Sequence, residues 1–174
     1  MIRAIFLDVD GTLISFSTHE IPASALRALA QAHERGVRLF IATGRAANDL
    51  GPLEGIPYDG VVSLNGARCV ANDGRVVSLH PIPRADFERA LALSEEQDFA
   101  MGLELEEGVF VNRVTPDVER VAHMVAHPVP EQTDLRELFG RVECCQLCFY
   151  FDAETQRRVM TELPTLAASR WCPI

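Results

Sequence analysis

Two carboxylates stand two residues apart near the N-terminus, Asp8 and Asp10, and Gly11 follows them. They close a short apolar run rich in strand formers, Arg3 to Val9. A strand sends alternate side chains to one face, so the two acids converge if the strand continues. The glycine then lets the chain turn away sharply. Two such acids can bind Mg²⁺, which takes oxygen ligands and keeps several waters. One can attack phosphorus while the other moves a proton. The competing reading is a strand-end turn whose acids only cap backbone amides.

Thr43 ends a second apolar run and precedes Gly44 and Arg45. Its hydroxyl can donate to a phosphoryl oxygen, and amides opening a helix after it would favour an anion. It could equally serve as a simple helix cap. Arg45 could reach substrate, cap the turn or stand in solvent. Asn65, before Gly66, could read substrate or hold its loop, or be an ordinary turn residue.

Such residues cooperate only if strand ends meet. Arg3 to Val9 reads as a buried parallel strand, Ala23 to Arg35 as a helix with Leu26 and Leu29 at helical spacing, and Gly36 as its C-cap. Val37 to Ala42 predicts a second strand, Thr43-Gly44-Arg45 to about Glu54 a second helix, and Val61 to Leu64 a third strand. That alternation is the pattern of a parallel α/β layer, whose ligands gather at the carboxyl ends of the strands. Beyond Gly66 the pattern changes. Asn72-Asp73-Gly74 and Glu107-Gly108 mark two hairpins. Arg84 to Gln97, Asp117 to Ala126 and Glu154 to Leu163 predict helices. Cys144 to Phe151 and Leu166 to Trp171 predict strands. Hairpins mixed with helices imply an α+β unit with an antiparallel sheet.

The hexapeptide Asp8 to Leu13 resembles the first motif of the haloacid dehalogenase superfamily, DxDGT[LV]. Ala42-Thr43-Gly44-Arg45 resembles the second motif of its Cof-like branch, and Leu64-Asn65-Gly66-Ala67 the stretch closing its third strand. The resemblance implies an α/β, Rossmann-like parallel core over 1–66, incomplete, carrying an inserted α+β C2-type cap over 67–174. It implies that Asp8 is the nucleophile of an aspartyl-phosphate intermediate and Asp10 the acid and then the base. It implies Mg²⁺ on the Asp8 carboxylate and the Asp10 main-chain carbonyl, and substrate contacts from Thr43, Gly44, Arg45 and Asn65. The expected reaction is hydrolysis of a small phosphate ester such as a sugar phosphate. The family's clamp lysine and second acidic motif have no counterpart up to Ile174. The expectation is therefore an impaired phosphatase, or a non-catalytic phosphate-ligand-binding protein that keeps the cradle and cap.

All 16 Lys-plus-Arg residues are arginine, and the formal net charge is −9. That balance argues against a nucleic-acid surface, which needs a basic stripe. No apolar run approaches the roughly 20 residues of a membrane span, so the expected location is the cytoplasm and no membrane partner is implied. The five cysteines are expected as thiols. Cys145 and Cys148 have metal-like spacing, but Cys144 to Phe151 also reads as a buried strand using cysteine as a small hydrophobe. The expected partner is a small phosphorylated metabolite. Self-association through the open edge of the Arg3–Val9 strand is a further expectation.

Overall fold

A computed structural model describes residues 2–161 apart from Phe16, Pro52, Glu54 and Ala126. The strand expected over Leu166 to Trp171 lies outside these residues. Two units emerge, Met1–His80 and Pro81–Ile174. No helix among the described residues is long and apolar enough to cross a membrane.

The first unit is a five-stranded sheet in chain order: β1 (Ala4–Leu7), β2 (Arg38–Ala42), β3 (Gly60–Ser63), β4 (Arg68–Ala71) and β5 (Val76–Leu79). β1, β2 and β3 are parallel, with Leu7 opposite Ile41 and Ala42 opposite Val62. This register aligns the three carboxyl ends, so Asp8, Thr43 and Leu64 each begin a loop at the same rim of the sheet. Alternation along β2 buries Leu39 and Ile41 on the face of helix α1 (Ala23–Glu34), where they join Val9, Leu13 and Leu29. On the opposite face Phe40 stacks on Phe6, with ring centroids 5.0 Å apart. β1 lies at the end of the sheet, and its only strand partner among the described residues is β2.

Two expectations change here. No helix forms among the described residues of the loop after β2. Residues 44–51 run through bends and turns, with Gly51 at φ +70°. Gly44, the Asn48-Asp49 pair and Gly51 break helical continuity, while Leu50, Leu53 and Ile56 still reach the core. The boundary also moves. The hairpin of β4 and β5 was expected to open the second unit after residue 66, yet β4 pairs antiparallel with β3 and extends the first sheet. A hairpin signal identifies two strands that pair with each other, not the sheet edge they join.

In the second unit β6 (Ala100–Leu105) pairs antiparallel with β7 (Gly108–Val111) and with β9 (Gln146–Tyr150), and β8 (Glu131–Gln132) lies beside β7. On one face Met101, Leu103 and Leu105 pack with Phe87 and Leu91 of α2 (Arg84–Glu96) and Leu135 of α4 (Leu135–Phe139). On the other, Val118 of α3 (Pro116–Met124) packs with Ala100, Val111 and Tyr150. Thr115 caps α3 through its hydroxyl, and Asp152 caps α5 (Ala153–Val159) through its carboxylate, which accepts from the Thr155 N–H. The cysteine run lies at and before β9. The Cys144 thiol is buried and donates to the Gln146 carbonyl at 3.2 Å. Burial pushes its pKa up to about 12, the behaviour of a core thiol.

Candidate active site

The loop after β1 is anchored by what it buries. Val9 is fully buried and Leu13 and Ile14 nearly so, while Asp8 between solvent and core stays exposed. Gly11 takes φ +75°, and the chain folds back so that the Ile14 N–H donates to the Val9 carbonyl at 2.9 Å. The Thr12 hydroxyl thereby reaches Asp8 and donates to its Oδ2 at 2.9 Å. Thr12 was not among the residues singled out in the sequence, although it belongs to the same hexapeptide. A threonine four residues beyond a strand-end acid is a signal only if the intervening turn is known.

Thr43 is buried at the end of β2, where its N–H donates to the Val62 carbonyl at 2.9 Å. Its hydroxyl accepts from the Arg45 N–H at 3.2 Å, which leaves its own hydrogen to donate elsewhere. The loops after β2 and β3 are laced together. The Asn65 N–H donates to the Thr43 carbonyl at 3.2 Å, and the Leu64 N–H to the Arg45 carbonyl at 3.1 Å. Asn65 holds φ +53°, a left-handed conformation that asparagine tolerates. Its side chain lies over Gly44, where a Cβ would come 3.1 Å from Oδ1. Any side chain there would press on the asparagine, which would have to shift by a few tenths of an ångström.

These loops enclose an open cleft of about 330 Å³ lined by Asp8, Ala42, Thr43, Gly44, Val62, Asn65 and Gly66. Four of the expected site residues, Asp8, Thr43, Gly44 and Asn65, therefore share one cleft. Asp10 and Arg45 do not line it. They form a two-pronged ion pair, with Arg45 Nε 2.8 Å from Asp10 Oδ2 and Nη2 2.7 Å from Oδ1. Hydrogen bonding to Asp10 holds the Arg45 guanidinium above its usual pKa, against an opposing effect of burial. Arg45, expected among the substrate ligands, is thus directed at its neighbouring acid.

The match to a family model covers residues 5–171 and is that of a haloacid dehalogenase-like hydrolase. The chain belongs to that family.

Among solved structures this haloacid dehalogenase-like chain is similar to BT1666 from Bacteroides thetaiotaomicron, a subject of work on phosphatases of the superfamily. The TM-score is 0.90 and the identity 53%, covering 100% of this chain and 65% of that one. It is also similar to the subclass IIB sugar phosphatase BT4131, with TM-score 0.80 and 29% identity over 98% of this chain and 67% of that one. The Bacillus subtilis (strain 168) protein YkrA, whose name proposes a phosphatase, is 30% identical over 95 residues, 54% of this chain and 36% of that protein. The chain spans about two thirds of the length of the two structures and about a third of YkrA. These likenesses place it in the Cof-like branch, with the α/β Rossmann-like fold.

The donor set in the haloacid dehalogenase-like site suits the hard cation of the family. The Asp8 carboxylate and the Asp10 main-chain carbonyl belong to the turn that Gly11 closes. Two such oxygens with waters suit Mg²⁺. The Asp10 side-chain oxygens are engaged by Arg45, so the main chain is the part of Asp10 that fits a metal.

Proposed function

We propose that the chain carries the phosphoryl-transfer site of a cytoplasmic, Mg²⁺-dependent phosphatase acting on a small phosphate ester such as a sugar phosphate. The observation that supports this most is the exposed Asp8 carboxylate in a cleft walled by Thr43, Gly44 and Asn65. An Asp8 oxygen would form a bond to phosphorus as the bond from phosphorus to the ester oxygen breaks. The departing alkoxide would take its proton from the Asp10 carboxyl. Water would then attack the aspartyl-phosphate, giving its proton to the Asp10 carboxylate and restoring Asp8. Thr43, whose hydroxyl oxygen accepts from the Arg45 N–H, would donate its hydroxyl hydrogen to a phosphoryl oxygen, and the Thr12 bond to one Asp8 oxygen would leave the other for the ester. Mg²⁺, held by the Asp8 carboxylate and the Asp10 carbonyl, would neutralise charge on the phosphoryl oxygens.

The sugar phosphatase among the similar structures supports the substrate class. The test is hydrolysis of a panel of sugar phosphates with Mg²⁺ varied, together with acid-stable labelling of Asp8 by radioactive phosphoryl donor. Turnover that needs Mg²⁺ and disappears in Asp8→Asn is expected, because an amide is a poor nucleophile. Parental turnover in Asp8→Asn would refute the reading. Tight phosphate-ester binding with neither turnover nor labelling would establish the non-catalytic alternative.

A further inference from the structure

Arg45 is held along its whole length, and two of its three guanidinium nitrogens are committed to Asp10. Nε and Nη2 hold the two carboxylate oxygens at 2.8 and 2.7 Å, across 35 residues of sequence. The remaining nitrogen, Nη1, donates to the Asp49 carbonyl at 3.3 Å and stands 4.0 Å from the Asp49 carboxylate. The loop closes on the same group, since a Cβ at Gly51 would lie 3.2 Å from Nη1. The Arg45 backbone is tied as well, through its N–H to Thr43 and its carbonyl to the Leu64 N–H. The Arg45 side chain is 28% exposed and that of Asp10 41%, and neither residue lines the Asp8 cleft. A planar fork on both oxygens fixes the plane of a carboxylate, which a point charge cannot do.

We infer that Arg45 is a positioning residue for Asp10 and not a ligand of the phosphoryl group. Resting on the phosphatase reading above, it sets the direction from which the Asp10 proton passes to the departing oxygen while Asp8 bonds to phosphorus. Asp49 and the Gly51 turn hold the arginine in turn. Sequence alone left Arg45 between substrate, cap and solvent. The two-pronged contact selects a fourth role.

The test compares kcat/KM for a sugar phosphate and for p-nitrophenyl phosphate in the parent, Arg45→Gln, Arg45→Lys, Asp10→Asn and Arg45→Gln/Asp10→Asn. A sugar alkoxide leaves only with a proton, whereas nitrophenolate leaves without one. Misplacing a proton donor costs on the order of 10²-fold. The sugar phosphate should lose about that much in Arg45→Gln, and p-nitrophenyl phosphate less than about tenfold. Lysine should restore little of the loss, because it cannot fork. The double variant should be no slower than Asp10→Asn, since both changes remove one function. Equal losses on both substrates, carried in KM and additive with Asp10→Asn, would overturn the assignment in favour of a phosphate ligand. Thermal melts confirm folding of each variant, and Arg45→Lys, which keeps the charge beside Asp10, carries the comparison if Arg45→Gln does not fold. The two failures are separable. Turnover surviving in Asp8→Asn removes the phosphatase reading, whereas turnover lost there with equal losses in the Arg45 variants removes only the positioning role.

Discussion

Gly60→Ala should destabilise the sheet that carries the site, although the change is small and adds no charge. Gly60 is buried in β3 between β2 and β4, opposite Ala71. A Cβ there would come 2.8 Å from the Val70 carbonyl oxygen, with the Ala71 Cα and Phe40 Cδ1 both at 3.4 Å. The closest of these atoms is backbone in a paired strand, so it cannot swing aside as a side-chain tip would. Overpacking of this kind costs about 1–3 kcal/mol. The alanine regains about 0.4–1 kcal/mol by restricting the unfolded chain, which leaves a net loss of about 1.3 kcal/mol at the middle of both ranges. With an m-value of about 2 kcal/mol/M, the urea midpoint should fall by roughly 0.5–1 M. Gly140→Ala is the control, because its backbone is right-handed at φ −69° and a Cβ there meets only ordinary contacts, the nearest at 3.4 Å. A Gly60→Ala midpoint equal to or above that of the parent would show that the strands separate freely, and would refute the steric argument.

Thr12→Val keeps the side-chain shape but removes the donor to Asp8 Oδ2. Turnover should fall about tenfold, or about 1.4 kcal/mol of barrier, while the melting temperature stays near that of the parent. Unchanged turnover would show that Thr12 does not orient the nucleophile. Burial raises the Cys144 thiol to about 12 in the folded chain, against about 8.5 when unfolded. Between these values the unfolded state binds fewer protons, so stability should fall as pH rises through this window and stay level below it. Urea midpoints at several alkaline pH values should show a shallower decline in Cys144→Ala, and an equal decline would assign the loss to other groups. Ile2 is 69% and Phe6 62% exposed on or beside the end strand β1. The protein should therefore self-associate with concentration, and Phe6→Lys should reduce that association. A parent that stays monomeric in light scattering at high concentration would contradict this.

The rim of the site was legible because it depends on local pattern. Apolar runs ending at Asp8 and Thr43 predict strand ends, and β-alternation then buries Leu39 and Ile41 as observed. What escaped depends on contacts distant in sequence or on very short elements. Arg45 had three open readings, because nothing local links it to Asp10. The helix expected from Thr43 to about Glu54 had a plausible apolar spacing, Ala46, Leu50 and Leu53, all of which are buried. The core accepts those side chains from a series of turns as readily as from a helix. The five-residue α4 and two-residue β8 are too short to show a period. Asp134, whose carboxylate accepts from the Arg136 and Glu137 N–H groups, was the available sign of α4.

Asp8, Asp10, Thr12, Thr43, Gly44, Arg45 and Asn65 all fall within Met1–His80, whose boundary with the second unit lies between His80 and Pro81. Each unit has its own buried clusters, Leu39 and Ile41 anchoring one and Phe87 and Leu103 the other. A single cut between His80 and Pro81 would therefore leave all seven on one fragment, together with the buried cluster that anchors their strands. The register of β1, β2 and β3, which aligns the rim, is written wholly within that fragment.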